Sequence, residues 1–407
     1  MSVAQRHDVL AELGLRPVIN AAGPLTRMGG HRLAPEVVEA MAEAAQAHLP
    51  IDELQERAGG LIADLTGAEA GYVTCGAAAG LVLGTAACVA GCDPARIDQL
   101  PDTTGMPDEV VVQRAHRNAY DHAMRAAGVR FVDVGYLGFP GAGCTYGWQV
   151  EAALGPRTAA VSHPVMDAPG TVPLREVAQI AHRHGVPVVV DAAAALPPVE
   201  NLRRFIAEGA DLVAFSGGKA IGGPQASGVL AGRADLIRSV ALQHQDMDVH
   251  PRTLRYRLLI EQGVLPGPPH HGIGRPMKVG KEGIVGLMVA LKRFVAHDHS
   301  ADLRRHHAIL DAIRAGLDDL AGVKTSLSRE SRDDRPYPIL NIDLGGPAAA
   351  ETTYRLILGL QEGDPPIYVG QGHADDGRIT ILPTALAESE AELVATRLRQ
   401  ALERRGH

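Results

Sequence analysis

Short apolar runs alternate with amphipathic stretches through the middle of this chain of 407 residues. The runs "EVVVQ" (109–113), "RFVDVG" (130–135), "TAAVSH" (158–163), "VPVVVDAA" (186–193) and "DLVAFSGG" (211–218) predict five strands. Between them, "NAYDHAMRAAG" (118–128) and "PLREVAQIAHRHG" (173–185) have helical spacing and end on glycine, a C-cap signal. Strands rich in β-branched residues with little alternation are buried on both faces, and the βαβα rhythm makes the sheet mostly parallel. Ligands of such sheets sit beyond the carboxyl ends of the strands.

From about residue 275 the pattern changes. In "MKVGKEGIVGLMVALKRFVAHD" the residues Ile284, Leu287, Met288, Leu291 and Phe294 fall on one helical face, which predicts a packing helix between two domains. Beyond residue 300 come a helix, three short apolar runs and a final helix, the pattern of a smaller α+β domain. The expected division is an N-terminal segment lining the active site (1–50), a large domain (51–273), a linking helix (274–299) and a small domain (300–407). The segment 92–108, "CDPARIDQLPDTTGMPD", is polar and rich in Pro and Gly, and is expected to form a long surface or active-site loop.

Composition narrows the function classes. Hydrophobic residues make up 46 % but aromatics only 3 %, so Ala, Val, Leu and Gly carry the packing, as suits close helix–sheet contact. The net charge of −8 gives no electrostatic footprint for nucleic acid. No run of 18 apolar residues predicts a membrane span, and the N-terminus lacks a signal-peptide core. The four cysteines (Cys75, Cys88, Cys92 and Cys144) suggest a reduced, cytoplasmic protein without a disulfide framework. Cys88 and Cys92 could make half a metal site, but no second pair follows, and buried helix cysteines are the better expectation; no metal is predicted.

The stretch "DLVAFSGGKAIGGPQASGVLAG" (211–232) isolates one amine, Lys219, among small residues. A phosphate-binding P-loop would need Gly at 213 and Ser or Thr at 220, where Val213 and Ala220 stand. A surface lysine and a Schiff-base lysine remain. The second requires an amine that is partly neutral, against an unperturbed pKa near ~10.4, and small apolar surroundings promote that. The usual partner of such a lysine is pyridoxal 5′-phosphate (PLP), which needs an acid for its pyridine nitrogen, a stacking side chain and an anion cradle at a helix N-terminus. Asp191, at the end of an apolar strand, is the candidate acid; a helix N-cap is the other reading. Gly76, Ala77 and Ala78 open an Ala-rich helix and offer unobstructed N–H groups, although tight packing alone would also explain them. His116 is the candidate stacking ring, and its spacing fits a surface histidine equally well.

These segments resemble the fold-type-I PLP enzymes, and among them the selenocysteine-synthase-like branch that includes D-glucosaminate-6-phosphate ammonia-lyase. The resemblance rests on "VINAAGPLTRMGGHRLAPEVVEAM", "LIADLTGAEAGYVTCGAAAGLVLGTAAC", "VVQRAHRNAYDHAMRAAG", "VVVDAAAALPP", "SGGKAIGGPQASGVLAGR" and "GIGRPMKVGKEGIVGL", and covers residues 17 to about 295. It implies the aspartate aminotransferase-like fold, with Lys219 holding PLP, Asp191 on the ring nitrogen, His116 stacked on the ring and Gly76 and Ala77 on the phosphate. Ser216 would add a hydroxyl. The resemblance further implies a homodimer with shared active sites, in which Arg275, Lys278 and Lys281 reach the neighbouring phosphate or an acidic substrate. Solvent-exposed helix charge is the other reading of those three. Asn20, Thr26 and Arg27 would line the substrate pocket. Arg378 would bind the substrate carboxylate, with a strand-edge arginine as the alternative.

The reaction follows from what the chain lacks as well as what it has. Selenocysteine synthase must bind a charged transfer RNA, yet this chain is acidic and begins almost directly at "VINAAG", so no nucleic-acid partner is expected. A cysteine desulfurase needs a nucleophilic cysteine late in the chain, and none follows Cys144. The expected activity is a PLP-dependent lyase on a polar amino acid or amino sugar acid, releasing ammonia and a 2-keto acid. Aminotransfer, racemisation and retro-aldol cleavage would use the same carbanion and remain open.

Overall fold

A computed structural model describes residues 9–137, 144–245, 248–329, 337–345 and 348–403. Among them are twelve strands: β1 (Ile19–Ala21), β2 (Ala70–Thr74), β3 (Glu109–Gln113), β4 (Arg130–Val134), β5 (Thr158–Pro164), β6 (Val188–Asp191), β7 (Leu212–Ser216), β8 (Gly228–Gly232), β9 (Val323–Arg329), β10 (Pro338–Leu344), β11 (Ile367–Val369) and β12 (Arg378–Ile381). The chain divides into two compact units, one built from Met1–Gly30, Asp298–Glu330 and Pro336–His407, the other mainly from His31–His297.

The larger unit carries a seven-stranded sheet in the order β2-β8-β7-β6-β5-β3-β4. The pairs from β7 through β4 are parallel, and β8 alone runs against its neighbours β7 and β2. The carboxyl ends of β2, β3, β5, β6 and β7 therefore open on one edge, which is the α/β arrangement the apolar runs predict. Successive strand residues point to opposite faces. Val111, Val161, Val190 and Val213 pack into one buried layer with the helices Leu174–Arg183 and Lys281–Ala296. Val110, Ala160, Val189 and Leu212 pack into the other layer, with the helix Ala77–Ala90. Both faces are buried, which accounts for the missing alternation in the sequence. Edge strand β2 is closed by Gln55, whose amide donates to the Val73 carbonyl at 2.8 Å and accepts from its N–H at 3.0 Å.

In the smaller unit β9, β10 and β12 form an antiparallel sheet in the order β12-β10-β9. Strand β1 pairs in parallel with β11, placing Asn20 opposite Tyr368. The units part at Gly30/His31 and His297/Asp298, against expected boundaries at 50/51, 273/274 and 299/300.

Two expectations need correction. Segment 92–108 is not all loop: Pro94–Gln99 is a helix, capped by the Asp93 carboxylate accepting from the N–H groups of Ala95 and Arg96. Ile97, Leu100 and Met106 anchor the segment in the core, three apolar residues too widely spaced to register as a pattern. The helix expected over 118–128 is confined to Asp121–Arg125, because the Asn118 carboxamide accepts from the Tyr120 N–H and turns the chain first.

Candidate active site

Five strand ends at one sheet edge position Gly76, His116, His163, Asp191, Ser216 and Lys219. Strand β2 runs into Gly76 and the helix Ala77–Ala90. Gly76 has φ 141°, in the region that favours glycine, and open space stands where its Cβ would be. Thr74 donates from Oγ1 to the Gly76 carbonyl at 2.8 Å, fixing the turn. On the other side β8 approaches so closely that a Cβ on Gly228 would lie 2.5 Å from the Gly76 carbonyl carbon. Gly76 thus opens a 14-residue helix at its positive end, the kind of helix start that can hold an anion through backbone N–H groups.

Strand β7 ends at Ser216 and leads into the turn that carries Lys219, which is half-buried. The turn is tied by Gly217 N–H to Ser227 O at 2.8 Å and by Gly222 N–H to Lys219 O at 2.9 Å. A Cβ on Gly217 would fall 2.2 Å from Ser227 Oγ, and one on Gly218 2.5 Å from Gln225 Oε1, so the double glycine before the lysine is a packing requirement. Asp191 ends β6, beside β7, with Asp191 opposite Ala214. Its Oδ1 accepts from the Ala193 N–H at 3.0 Å. Burial pushes the Asp191 carboxyl above its ordinary value, while the Ala193 hydrogen bond and the positive charge of Lys219 pull it down.

His116 lies in the short turn after β3 and is 2 % exposed, so the surface alternative is excluded. Its ring meets that of His163, at the end of β5, edge to face with centroids 4.8 Å apart. Burial lowers His116 to about 4 and, with His116 adjacent, His163 to about 3, so both rings are neutral at physiological pH. Neither Nδ1 has a hydrogen-bond partner among the described residues. The loop after β5 is held to β3 by Gln113, whose amide donates to Val172 O at 2.9 Å and accepts from Val172 N–H at 2.6 Å. The sequence reading missed His163, although it ends an apolar strand just as Asp191 does.

Arg275 opens a short 3-10 turn, Arg275–Met277, and is half-buried, whereas Lys278 is exposed. Lys281 donates to the Ala45 carbonyl at 3.0 Å. The other four candidates lie in the smaller unit. Asn20 closes a local turn with both ends of its amide, donating to Gly23 O at 2.8 Å and accepting from Ala22 N–H at 3.0 Å. Thr26 and Arg27 form part of the turn Thr26–Met28, with the Arg27 guanidinium over the Tyr368 ring at 5.9 Å. Arg378 is paired through Nε with Asp343 on the neighbouring strand at 2.6 Å. Among the described residues no group of three His, Cys, Asp or Glu side chains could hold a metal ion, and no helix is long and apolar enough to cross a membrane.

The lysine after β7, the half-buried acid after β6, the buried imidazole after β3 and the glycine-led helix start after β2 fit PLP, and the chain is a fold-type-I PLP enzyme. Residues 121–256 match the family model described as SelA: L-seryl-tRNA selenium transferase. The chain is 32 % identical over 399 residues to a Streptomyces sp "5'-C-glycyluridine monooxygenase-decarboxylase", covering 96 % of this chain and 91 % of that one. It is 31 % identical over 404 residues to the "D-glucosaminate-6-phosphate ammonia lyase" of Salmonella typhimurium (strain 14028s / SGSC 2262), covering 97 % and 98 %. A solved structure of D-glucosaminate-6-phosphate ammonia-lyase superimposes with a TM-score of 0.78 at 30 % identity, over 98 % of this chain and 99 % of that one. This chain belongs to the selenocysteine-synthase-like (SelA-like) family of PLP-dependent enzymes.

Proposed function

We propose that this protein is a PLP-dependent ammonia-lyase acting on a polar amino acid or amino sugar acid. The reading is that it eliminates a β-leaving group such as hydroxyl and releases ammonia with a 2-keto acid. The observation that carries it is Lys219 beside the half-buried Asp191 at adjoining strand ends, together with near full-length similarity to a protein named for ammonia loss from an amino sugar acid. When bound, PLP serves as the electron sink for the pair of electrons left at the substrate α-carbon.

The residues divide the work as follows. Lys219 would hold the cofactor through its aldehyde, and its Nζ, when free, is the base for the substrate α-proton. It then returns that proton to the departing hydroxyl, so the group leaves as water. Asp191 would hold the ring nitrogen and favour its protonated form through Oδ2, Oδ1 being already engaged by Ala193. His116, neutral and buried, would stack on the ring. Gly76 and Ala77 meet the phosphate through backbone N–H groups at the helix start, and Ser216 adds a hydroxyl from the end of β7. Arg275, Lys278 and Lys281 supply cations to the phosphate of a neighbouring copy in a homodimer. Thr26, Arg27 and Arg378 are assigned to the substrate; Arg378 would use its terminal guanidinium nitrogens, since Nε is engaged by Asp343. Asn20 shapes the turn that presents Thr26 and Arg27. We place the enzyme in the cytoplasm.

A second reading is favoured by the similarity to the monooxygenase-decarboxylase: oxidative loss of CO₂ from an α-amino acid at the same site. The two part cleanly in an assay under nitrogen. Anaerobic release of keto acid and ammonia in equal amounts supports the lyase, while turnover that requires O₂ and yields CO₂ supports the second reading.

A further inference from the structure

A hydrogen-bonded chain with no part in the proposed chemistry runs beneath the cation-bearing turn. Tyr72 lies on β2, two residues before Thr74, and is 2 % exposed. Its hydroxyl stands 2.9 Å from Nδ1 of His244, at the end of the helix Ala234–His244, and the two rings meet edge to face at 5.4 Å. Nε2 of His244 lies 2.9 Å from the carbonyl oxygen of Met277. A carbonyl oxygen only accepts, so Nε2 carries the proton and Nδ1 accepts from Tyr72. The acceptor role of Nδ1 requires the neutral ring, and burial, with Arg275 nearby, lowers the His244 pKa in that direction.

The same turn is docked by its backbone. Gly274 N–H donates to Gln243 O at 3.0 Å. A Cβ on Gly274 would meet Leu83 Cδ2 at 2.5 Å, and one on Gly272 the Gln243 Cα at 2.7 Å. Leu83 belongs to the helix whose N-terminus forms the anion cradle. The Arg275–Lys278 turn is thus seated on the helix and the strand that build the cradle, and His244 is the side chain that ties its last carbonyl down.

We propose that Tyr72 and His244 form a brace that sets the Arg275–Lys278 turn for phosphate binding, making His244 a positioning residue for cofactor recognition. The inference rests on the assignment of Arg275 and Lys278 to the phosphate made above. A brace of this kind affects the phosphate of the cofactor and not its ring. It therefore changes the preference for PLP over pyridoxal, which lacks the phosphate, whereas general damage to the fold weakens both.

The test is titration of the full-length apoenzyme with PLP and with pyridoxal, read by absorbance. His244→Leu is expected to raise the Kd for PLP about tenfold, the worth of one strong hydrogen bond, and to leave pyridoxal nearly unchanged. His244→Gln, which can donate to Met277 and accept from Tyr72, is expected to restore most of the preference. Tyr72→Phe, a smaller change, gives a partial loss and serves if His244→Leu does not fold. If Arg275→Ala collapses the preference while the His244 and Tyr72 variants keep it, the brace is overturned and the cation assignment stands. If Arg275→Ala and Lys278→Ala both keep the wild-type preference, the cation assignment falls and takes the brace with it.

Discussion

The rings of His116 and His163 meet edge to face at 4.8 Å, the first buried and the second half-buried, each neutral, and each with an unpaired Nδ1 among the described residues. This pair is a proton sensor for stability. Above the ordinary value of 6.5 the histidines are neutral in both folded and unfolded chains, so they contribute no pH dependence. Below it the unfolded chain takes up protons that the folded chain refuses until about pH 4 for His116 and about pH 3 for His163. Stability of the apoprotein should fall from pH 6.5 towards 5, at up to ~1.4 kcal/mol per pH unit for each ring. Urea midpoints across that window check this, and His163→Gln should remove its share of the slope. A flat profile would show that the rings are not buried neutral.

Lys219→Ala should abolish covalent attachment of the cofactor. Borohydride reduction of the loaded wild type, followed by peptide mapping, should place the label in the segment carrying Lys219. The same treatment of the variant should leave no label, and a retained label would move the attachment to another amine.

Asp191→Asn separates two effects. In the apoprotein the buried carboxyl has a raised pKa, so its ionisation costs stability as pH rises through that value. The amide keeps the Ala193 hydrogen bond without the charge, so the apo variant should melt above apo wild type at neutral pH. With cofactor present the order should reverse, and turnover should fall by about a hundredfold or more as the ring loses its anionic partner. Melting curves of both forms and steady-state rates check the pair. A variant that melts lower in the apo form would contradict the burial argument.

Gly228→Ala tests the cradle from behind. The added methyl would strike the backbone at Gly76 and Ala77, so stability should drop by about 1–3 kcal/mol. Cofactor affinity should fall with it, and inorganic phosphate should compete less well in the variant than in wild type. Competition unchanged from wild type would place the phosphate elsewhere.

What the sequence made legible was local. The β-branched run before Asp191 and the glycines around Lys219 announced a strand end and a tight turn, and both stand where the pattern put them. The small residues at Gly76 likewise open a helix. What stayed hidden depends on distant neighbours. His163 looks like any histidine after "TAAVS" until β5 lies beside β3 and brings His116 against it. Tyr72 and His244 meet only because helix Ala234–His244 packs back on β2, across 172 residues of sequence. Strand β1 is too short to show periodicity, and its partner β11 lies near the other end of the chain. Arg378 showed its charge but not Asp343, which antiparallel pairing places directly opposite.

The central claim, ammonia loss at the Lys219–Asp191 site, is tested most directly by one assay on the PLP-loaded enzyme under nitrogen with no keto-acid acceptor. A panel of D- and L-β-hydroxy amino acids and amino sugar acids is screened for keto acid and ammonia together. The account predicts that at least one substrate yields both in equal amounts. Turnover that appears only with O₂, or only when a 2-oxo acid is supplied, would contradict it.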